Sequence, residues 1–304
     1  MIIIGAGLSG LIAGALNGQS RVYEAGPSSM VEHKAVLRFR DDAIAKATGI
    51  EFKKVEVRKA VWMDGKECQP TPRFANMYSR KVRGIYAPAS IWNIEKSERY
   101  IAPEDFHSIL AEICSQRVIW DCPIDADSLA TFKGENIVST IPMGKMLEIL
   151  GDRWQYSGDL FKYAPIHVQR WRIDNCSIHQ TIYYPDEFVN TYRATITGDL
   201  LIIESIGEIT VNEAKHVFES FGIPVHNAFC VDAEHRQEYG KIVELKSADR
   251  KSILYSMTKN HSIYSLGRFA TWRNILLDDV YNDLSVIKKL MKANNYDKHL
   301  LKGF

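Results

Sequence analysis

Three glycines and one acid carry the first recognisable chemistry of this chain. Gly5-Ala6-Gly7-Leu8-Ser9-Gly10 follows the apolar run Ile2–Ile4, and Leu11-Ile12-Ala13-Gly14-Ala15-Leu16 continues at helical spacing. Arg21-Val22-Tyr23 reads as a second short strand and ends at Glu24, 19 residues beyond Gly5. Each part has a task in holding a dinucleotide. Gly5 permits the tight turn, Gly7 lets backbone approach a pyrophosphate, and Gly10 lets the helix lie close to the sheet. Leu8 and Ser9 open a helix whose free N–H groups and positive dipole end suit phosphate. Glu24, followed by Ala25, is placed to accept hydrogen bonds from ribose hydroxyls, and a carboxylate there disfavours a 2′-phosphate. The turn by itself does not choose between NAD and FAD.

A second group lies in the middle of the chain. Arg170-Trp171-Arg172 sits in a strand-like stretch, and Tyr183-Tyr184 and Tyr192-Arg193 follow in two more. Strand alternation puts Arg170 and Arg172 on one face and Trp171 on the other. The arginine face suits a carboxylate or a phosphate, or it is simply the wet side of a sheet. The aromatic residues are equally core or substrate cage.

These residues need elements to position them. The first 150 residues alternate strand and helix. Strand signals fall at Phe52–Trp62, Arg117–Asp121 and Asn136–Pro142, and helix signals at 41–49, 74–83 and 103–116. From about residue 160 the texture changes to strands rich in β-branched and aromatic residues, at 164–173, 178–184, 191–197 and 200–206. Helices are expected at 211–221, 247–259 and 277–293, with a strand at 262–266 before Gly267. The expected division is a nucleotide-binding domain over 1–154 plus 236–304, interrupted by a substrate domain over 155–235. Parts of 50–100 are expected to join the substrate side.

The totals exclude several classes. At 304 residues, 46% hydrophobic and 25% charged, the chain has a globular composition. A net charge of +1 gives no global field for general nucleic-acid binding, though a local contact stays open. No run of about 18 apolar residues suggests a membrane span. The five cysteines are scattered without a CxxC pair, which suits free thiols in a reducing compartment and no metal site. The apolar start lacks the charged region of a signal peptide, so a cytoplasmic location is expected.

The chain resembles a family of FAD enzymes that includes amine oxidases, protoporphyrinogen oxidases and UDP-galactopyranose mutases. The Gly5/Gly7/Gly10/Glu24 unit carries the likeness, as do the strands at Arg117 and Asn136, Tyr183-Tyr184-Pro185-Asp186 with Tyr192-Arg193-Ala194-Thr195, and Ile263–Asn274 ahead of Leu277-Asp278-Asp279. The resemblance implies an α/β fold: a Rossmann-like FAD-binding domain interrupted by a second α+β substrate domain with an antiparallel sheet. It implies that Val118, Thr140 and Pro142 lie beside the adenine side of FAD and that Gly267 and Arg268 contact its phosphates. The backbone of Leu277 and Asp278 would lie at the flavin pyrimidine edge. After Glu24 the family has a Gly-Gly pair and an arginine. Here Gly26-Pro27-Ser28-Ser29-Met30-Val31-Glu32-His33-Lys34 stands instead, leaving Arg38 as a cofactor contact and His33 as a substrate-side candidate.

Two reactions use such a scaffold. In one, an amine gives hydride to flavin N5; in the other, reduced FAD acts as a nucleophile through N5 with no net redox change. No pair of diphosphate-binding arginines stands out in the sequence, so oxidation of a C–N bond leads. The expected substrate is a small-molecule or nucleotide-linked amine bearing a carboxylate, and by analogy a modified base in a virus-type pathway. Arg170, Arg172, Tyr184, Tyr192, Arg193 and His33 are its candidate contacts. The alternatives are a sugar-nucleotide mutase and a flavin-binding protein without turnover.

Overall fold

The structure is a computed structural model that describes residues 1–30, 36–86, 90–151 and 160–292; His33 lies outside them. The strands of the first half are β1 (Ile2–Ile4), β2 (Arg21–Tyr23), β3 (Arg38–Phe39), β4 (Lys53–Met63), β5 (Lys66–Cys68), β6 (Ser97–Ile101), β7 (Val118–Ile119) and β8 (Ile137–Ser139). Those of the second half are β9 (Tyr163–Arg172), β10 (His179–Tyr183), β11 (Thr191–Thr197), β12 (Leu200–Ser205), β13 (Phe229–Ile242) and β14 (Ile263–Ser265). The helices are α1 (Leu8–Ala15), α2 (Ala43–Thr48), α3 (Pro72–Arg83), α4 (Phe106–Ile113), α5 (Ala126–Thr131), α6 (Met143–Ile149), α7 (Val211–Phe221), α8 (Ser247–His261) and α9 (Leu277–Lys292).

A five-stranded sheet runs in the order β14-β8-β1-β2-β7 with every pairing parallel. Both of its faces are covered, which is why β1 is apolar at every position. Ile3 packs on one side with Leu11, Phe106, Val280 and Leu284 from α1, α4 and α9. Ile2 and Ile4 point the other way, into Met143, Met146, Ile253 and Met257 from α6 and α8. Because the strands are parallel, the segments after Ile4, Tyr23, Ser139 and Ser265 leave the sheet at one edge. That carboxyl edge is where ligands sit in open α/β sheets.

A larger sheet runs β13-β9-β12-β11-β10-β4-β6-β3, with β5 paired to β4. It is mixed rather than purely antiparallel: β4 pairs β10 in parallel through Arg58–Val61, while its first residues pair antiparallel with β6. A parallel pair needs a long crossover, and the whole stretch from α3 to β9 supplies it. Strands β3 to β6, drawn from 38–101, thus join the second sheet. The boundary expected at residues 235/236 falls inside β13, which pairs with β9 from Phe229 to Ile242. The helix expected over 103–116 is shorter, Phe106–Ile113, and ends in a 3₁₀ turn at Ser115–Arg117.

The outer face of this sheet is dry. Ile182, Tyr184, Ala194, Ile196, Leu201 and Ile203 pack under Val217 and Phe218 of α7. That helix starts with a capping box, in which Thr210 Oγ1 accepts from Glu213 N–H and Glu213 accepts from Thr210 N–H. It stops at Gly222, which adopts φ +67°. The inner face carries Val61, Val168, Tyr183 and Ile202, with Tyr78 and Val82 of α3 laid against them.

Candidate active site

The glycine turn at the carboxyl edge is fixed by close backbone approach. A Cβ on Gly10 would lie 1.9 Å from the Gly5 carbonyl oxygen, so the start of α1 sits directly on the turn. Gly5 itself adopts φ +98°. Gly7 is the N-cap of α1 and makes no side-chain cap, and a Cβ placed there would meet nothing within 4 Å. The start of α1 therefore has no side-chain cap and no side chain crowding Gly7, as an anion site requires. Glu24 holds the turn from beside it, accepting from Ala6 N–H at 2.6 Å and from Gly26 N–H at 3.0 Å. His107 holds it from below, its Nε2 3.2 Å from the Ala6 carbonyl oxygen. Burial keeps this imidazole neutral by lowering its pKa. Thr140 Oγ1 donates to the Ile4 carbonyl at 2.9 Å, Pro142 caps α6, and Val118 pairs with Val22.

The turn after β14 reaches the same place from the other end of the chain. Gly267 adopts φ +91°, and a Cβ on it would lie 2.4 Å from Ser9 Oγ. Its neighbour Arg268 turns toward the larger sheet, where Nη2 donates to the Gly240 carbonyl of β13 at 3.3 Å. One dipeptide thus touches both the glycine turn and the second sheet. Asp278, at the start of α9, accepts from Arg40 N–H at 3.0 Å and from Arg40 Nε at 3.3 Å. Asp279 accepts from Arg40 Nη2 at 2.5 Å. Leu277 precedes this clamp.

The inner face of the second sheet gathers a polar cluster. Between β11 and β12 the register slips between Thr191 and Arg193. Such a bulge sets consecutive side chains toward one side, and Tyr192 and Arg193 both reach Glu204. Tyr192 OH donates at 2.9 Å, Arg193 Nη2 at 2.6 Å, and Arg193 Nε donates as well. Burial opposes ionisation of Glu204, but Arg193 keeps its carboxyl below the usual range. Tyr78 packs edge-on against Tyr183, with ring centroids 5.6 Å apart. Lys241 of β13 places Nζ 4.2 Å from the centre of the Tyr192 ring. Arg83 and Arg268 are close enough to act on it electrostatically. The Arg193 side chain keeps 36% of its surface open, so the cluster reaches solvent at this residue while Tyr192 and Glu204 are buried beneath it.

The other sequence candidates fall elsewhere. Tyr184 points to the opposite face, donating to or accepting from Ser220 of α7 at 2.5 Å, because it follows Tyr183 by one strand position. Arg38 does not reach the glycine turn: its guanidinium donates to Thr181 Oγ1 at 2.8 Å and to the Ile196 carbonyl at 2.9 Å. Burial pushes its pKa down to about 10. Arg170 and Arg172 do share a face, with Trp171 turned to Phe218. Both pair with Glu104, Arg170 also with Asp232 and Arg172 also with Asp199. Two cations facing three carboxylates leave no surplus positive charge for an anion. Arg170, Arg172, Glu104 and Asp199 of this network line a cavity of about 180 Å³ with Leu37, Leu200 and Ile202. Sequence reading missed Glu204, Lys241, Tyr78 and His107. Only Glu204 carried a signal, an acid directly after the apolar run Leu200-Leu201-Ile202-Ile203 within one strand.

The fold and the turn define a class: a parallel α/β sheet with a glycine turn of the dinucleotide-binding kind, joined to a second, mixed sheet. The uncapped start of α1, the open space at Gly7 and the ribose-side Glu24 fit FAD. The chain is similar along nearly its whole length to a crystal structure of reduced UDP-galactopyranose mutase, with TM-score 0.71, 14% identity, and coverage of 99% of this chain and 98% of that one. It is also similar to a Pyrococcus furiosus protein, PF1083, at TM-score 0.54 and 10% identity over 96% and 98% of the two chains. A geranylgeranyl bacteriochlorophyll reductase-like protein from Thermoplasma acidophilum matches at TM-score 0.51 and 11% identity, over 99% of this chain and 81% of that one. No protein-family model matches the chain, and no curated protein matches it. Among the described residues no helix is long and apolar enough to cross a membrane.

Proposed function

We propose that the protein is an FAD-dependent enzyme for an anionic substrate, and that a sugar-nucleotide mutase is the reading its geometry supports best. One observation carries this: Arg193, Arg268 and Lys241 converge with Tyr183 and Tyr192 on the inner face of the second sheet. The sequence offered no diphosphate arginines because Arg193 and Arg268 are 75 positions apart, 268 minus 193. Arginine forks suit phosphate oxygens, and such charge-assisted bonds are the stronger kind. An ammonium brought to about 4 Å from one of these cations meets roughly 4 kcal/mol of repulsion at an effective dielectric near 20. The whole-length likeness to a UDP-galactopyranose mutase adds support to this reading.

When bound, FAD supplies a hydride acceptor or, once reduced, a nucleophile. The residues of this chain bind and orient. Glu204 fixes the Arg193 fork and the Tyr192 hydroxyl. Burial raises the pKa of Tyr192, so it stays a neutral donor. Gly267 and Arg268, adjacent in the chain, bring cofactor and substrate sides together.

A second reading, oxidation of an amine C–N bond, has its own observation. The cavity beside Arg170 and Arg172 is also lined by the carboxylates of Glu104 and Asp199, which pair with these arginines and leave no surplus cation to repel an amine. An anaerobic titration separates the two. The mutase reading expects UDP-galactopyranose to be isomerised only after dithionite reduction, with no substrate-driven bleaching. Bleaching of the oxidised protein by an amine would favour oxidation. Neither response would leave a flavin-binding protein without turnover.

A further inference from the structure

Two lysines lie half-buried against the second sheet, Lys81 and Lys241, and they differ in one respect. Lys81 of α3 is saturated: its Nζ donates to the carbonyl oxygens of Tyr184 at 3.0 Å, Asp186 at 2.7 Å and Thr191 at 2.6 Å. It fastens α3 to the turn between β10 and β11, and all three of its protons are used. Lys241 has no such set. Among the described residues its Nζ meets the Tyr192 ring face and no hydrogen-bonding acceptor.

Its surroundings are cationic. Arg193 comes from β11, Arg83 from α3 and Arg268 from the turn after β14, with Glu204 of β12 as the opposing charge. Glu204 is already engaged by Arg193 and Tyr192. Arg268 spends Nη2 on the Gly240 carbonyl and on Asn274 Oδ1, and its buried Nε meets no acceptor among the described residues. Lys241 is therefore the ammonium of this cluster that meets no acceptor among the described residues, and it lies over Tyr192 beside the partly open Arg193 side chain.

We propose that Lys241 is the proton-gated anion-binding group of this site: its ammonium holds an anionic substituent of the substrate, and binding weakens as Lys241 loses its proton. The proposal rests on the anionic-substrate reading above and adds to it a named residue and a pH dependence. Burial, reinforced by Arg193, Arg268 and Arg83 and opposed by Glu204, pushes the Lys241 pKa down to about 7. A bound anion supplies the missing counter-charge and raises that value. Linkage then requires binding to take up a proton near neutrality. An arginine at the same place would stay charged and carry no gate.

The test is calorimetric titration of the FAD-loaded protein with sulfate at fixed ionic strength. Sulfate is a dianion that does not itself titrate between about pH 6 and pH 9, where an ordinary lysine stays charged. The wild-type affinity is expected to fall up to about tenfold per pH unit above neutrality, with one proton taken up per anion. Lys241→Arg is expected to bind at both ends of the range with a flat profile, and Lys241→Met to bind weakly with a flat profile. Lys81→Met is expected to lower stability while keeping the wild-type slope. A Lys241→Met protein that keeps the wild-type affinity and slope overturns the proposal and leaves the anionic-substrate reading standing. A wild-type protein that binds neither sulfate nor UDP-galactopyranose at any pH overturns both.

Discussion

The glycine turn and the sheet-face cluster are built on opposite plans. The turn uses backbone: Gly5, Gly7 and Gly10 lie within six residues, and Glu24 closes the unit one strand later. Its donors are the N–H groups of α1, which any sequence of the right shape presents. The cluster uses side chains from six places: α3, β10, β11, β12, β13 and the turn after β14. It exists because a bulge at Tyr192 and the pairing of β13 with β9 bring them together. The turn is general and would hold its ligand in any protein with this motif. The cluster is particular to this chain, because only its long-range pairings assemble it. Gly267 and Arg268 join the two plans, one residue against Ser9 and the next against β13.

The sharpest way to break this contrast is at Gly10. Gly10→Ala forces a Cβ against the Gly5 carbonyl, where the gap is 1.9 Å. Overpacking of this kind against backbone costs on the order of 3 kcal/mol. The variant should purify without yellow colour and unfold at clearly lower denaturant, with the second sheet's own contacts untouched. A Gly10→Ala protein that keeps full flavin absorbance would place the cofactor elsewhere.

The converse change is Glu204→Gln. It removes the charge that Arg193 and Tyr192 share. Breaking a buried pair costs about 3–5 kcal/mol, but Arg193 is 36% open to solvent, so a loss of roughly 2 kcal/mol is expected after screening. Flavin content should stay at the wild-type level while turnover collapses. Loss of flavin with retained turnover would reverse the assignment of the two regions.

The smallest effect concerns His107 beneath the turn. Its pKa is lowered in the folded protein by burial, so the native imidazole is neutral while the unfolded one still takes a proton below about 6.5. Unfolding then takes up a proton in acid, and stability falls as the pH drops below that value. The expected shift is on the order of 1 kcal/mol per unit of pKa displacement. A His107→Gln variant should show a flatter stability profile between pH 7 and the histidine range, measured by denaturant midpoints. An unchanged acid slope would remove His107 from the turn's support.

Much of the architecture was legible because local rules and global fold agree. The β1–α1–β2 unit, helix α7 with its Gly222 stop, and the strands from β9 to β12 all follow from spacing and composition. Three features were not legible. Strand β13 reads as charged and irregular, since Asp232, Glu234, His235, Arg236 and Glu238 interrupt any alternation, and its bulges shift the register repeatedly. The parallel pairing of β4 with β10 joins residues about 120 positions apart, Val61 to Tyr183, and no local signal encodes it. Tyr184 was grouped with its neighbours by composition, whereas one strand position sends it under α7.

What the sequence determined by itself was the dinucleotide cradle. Its parts are contiguous; Gly5 is required by its φ of +98° and Gly10 by its approach to the Gly5 carbonyl, while Gly7 leaves the space beside the helix start open. What only the tertiary structure decided was which charges meet. Arg170 and Arg172 looked free and are neutralised by Glu104, Asp199 and Asp232, while Arg193, Arg268 and Lys241 converge. The physical reason is range. A turn is set by sterics between neighbours in the chain, but a side chain's charge acts according to its distance in space, and only the fold assigns that distance.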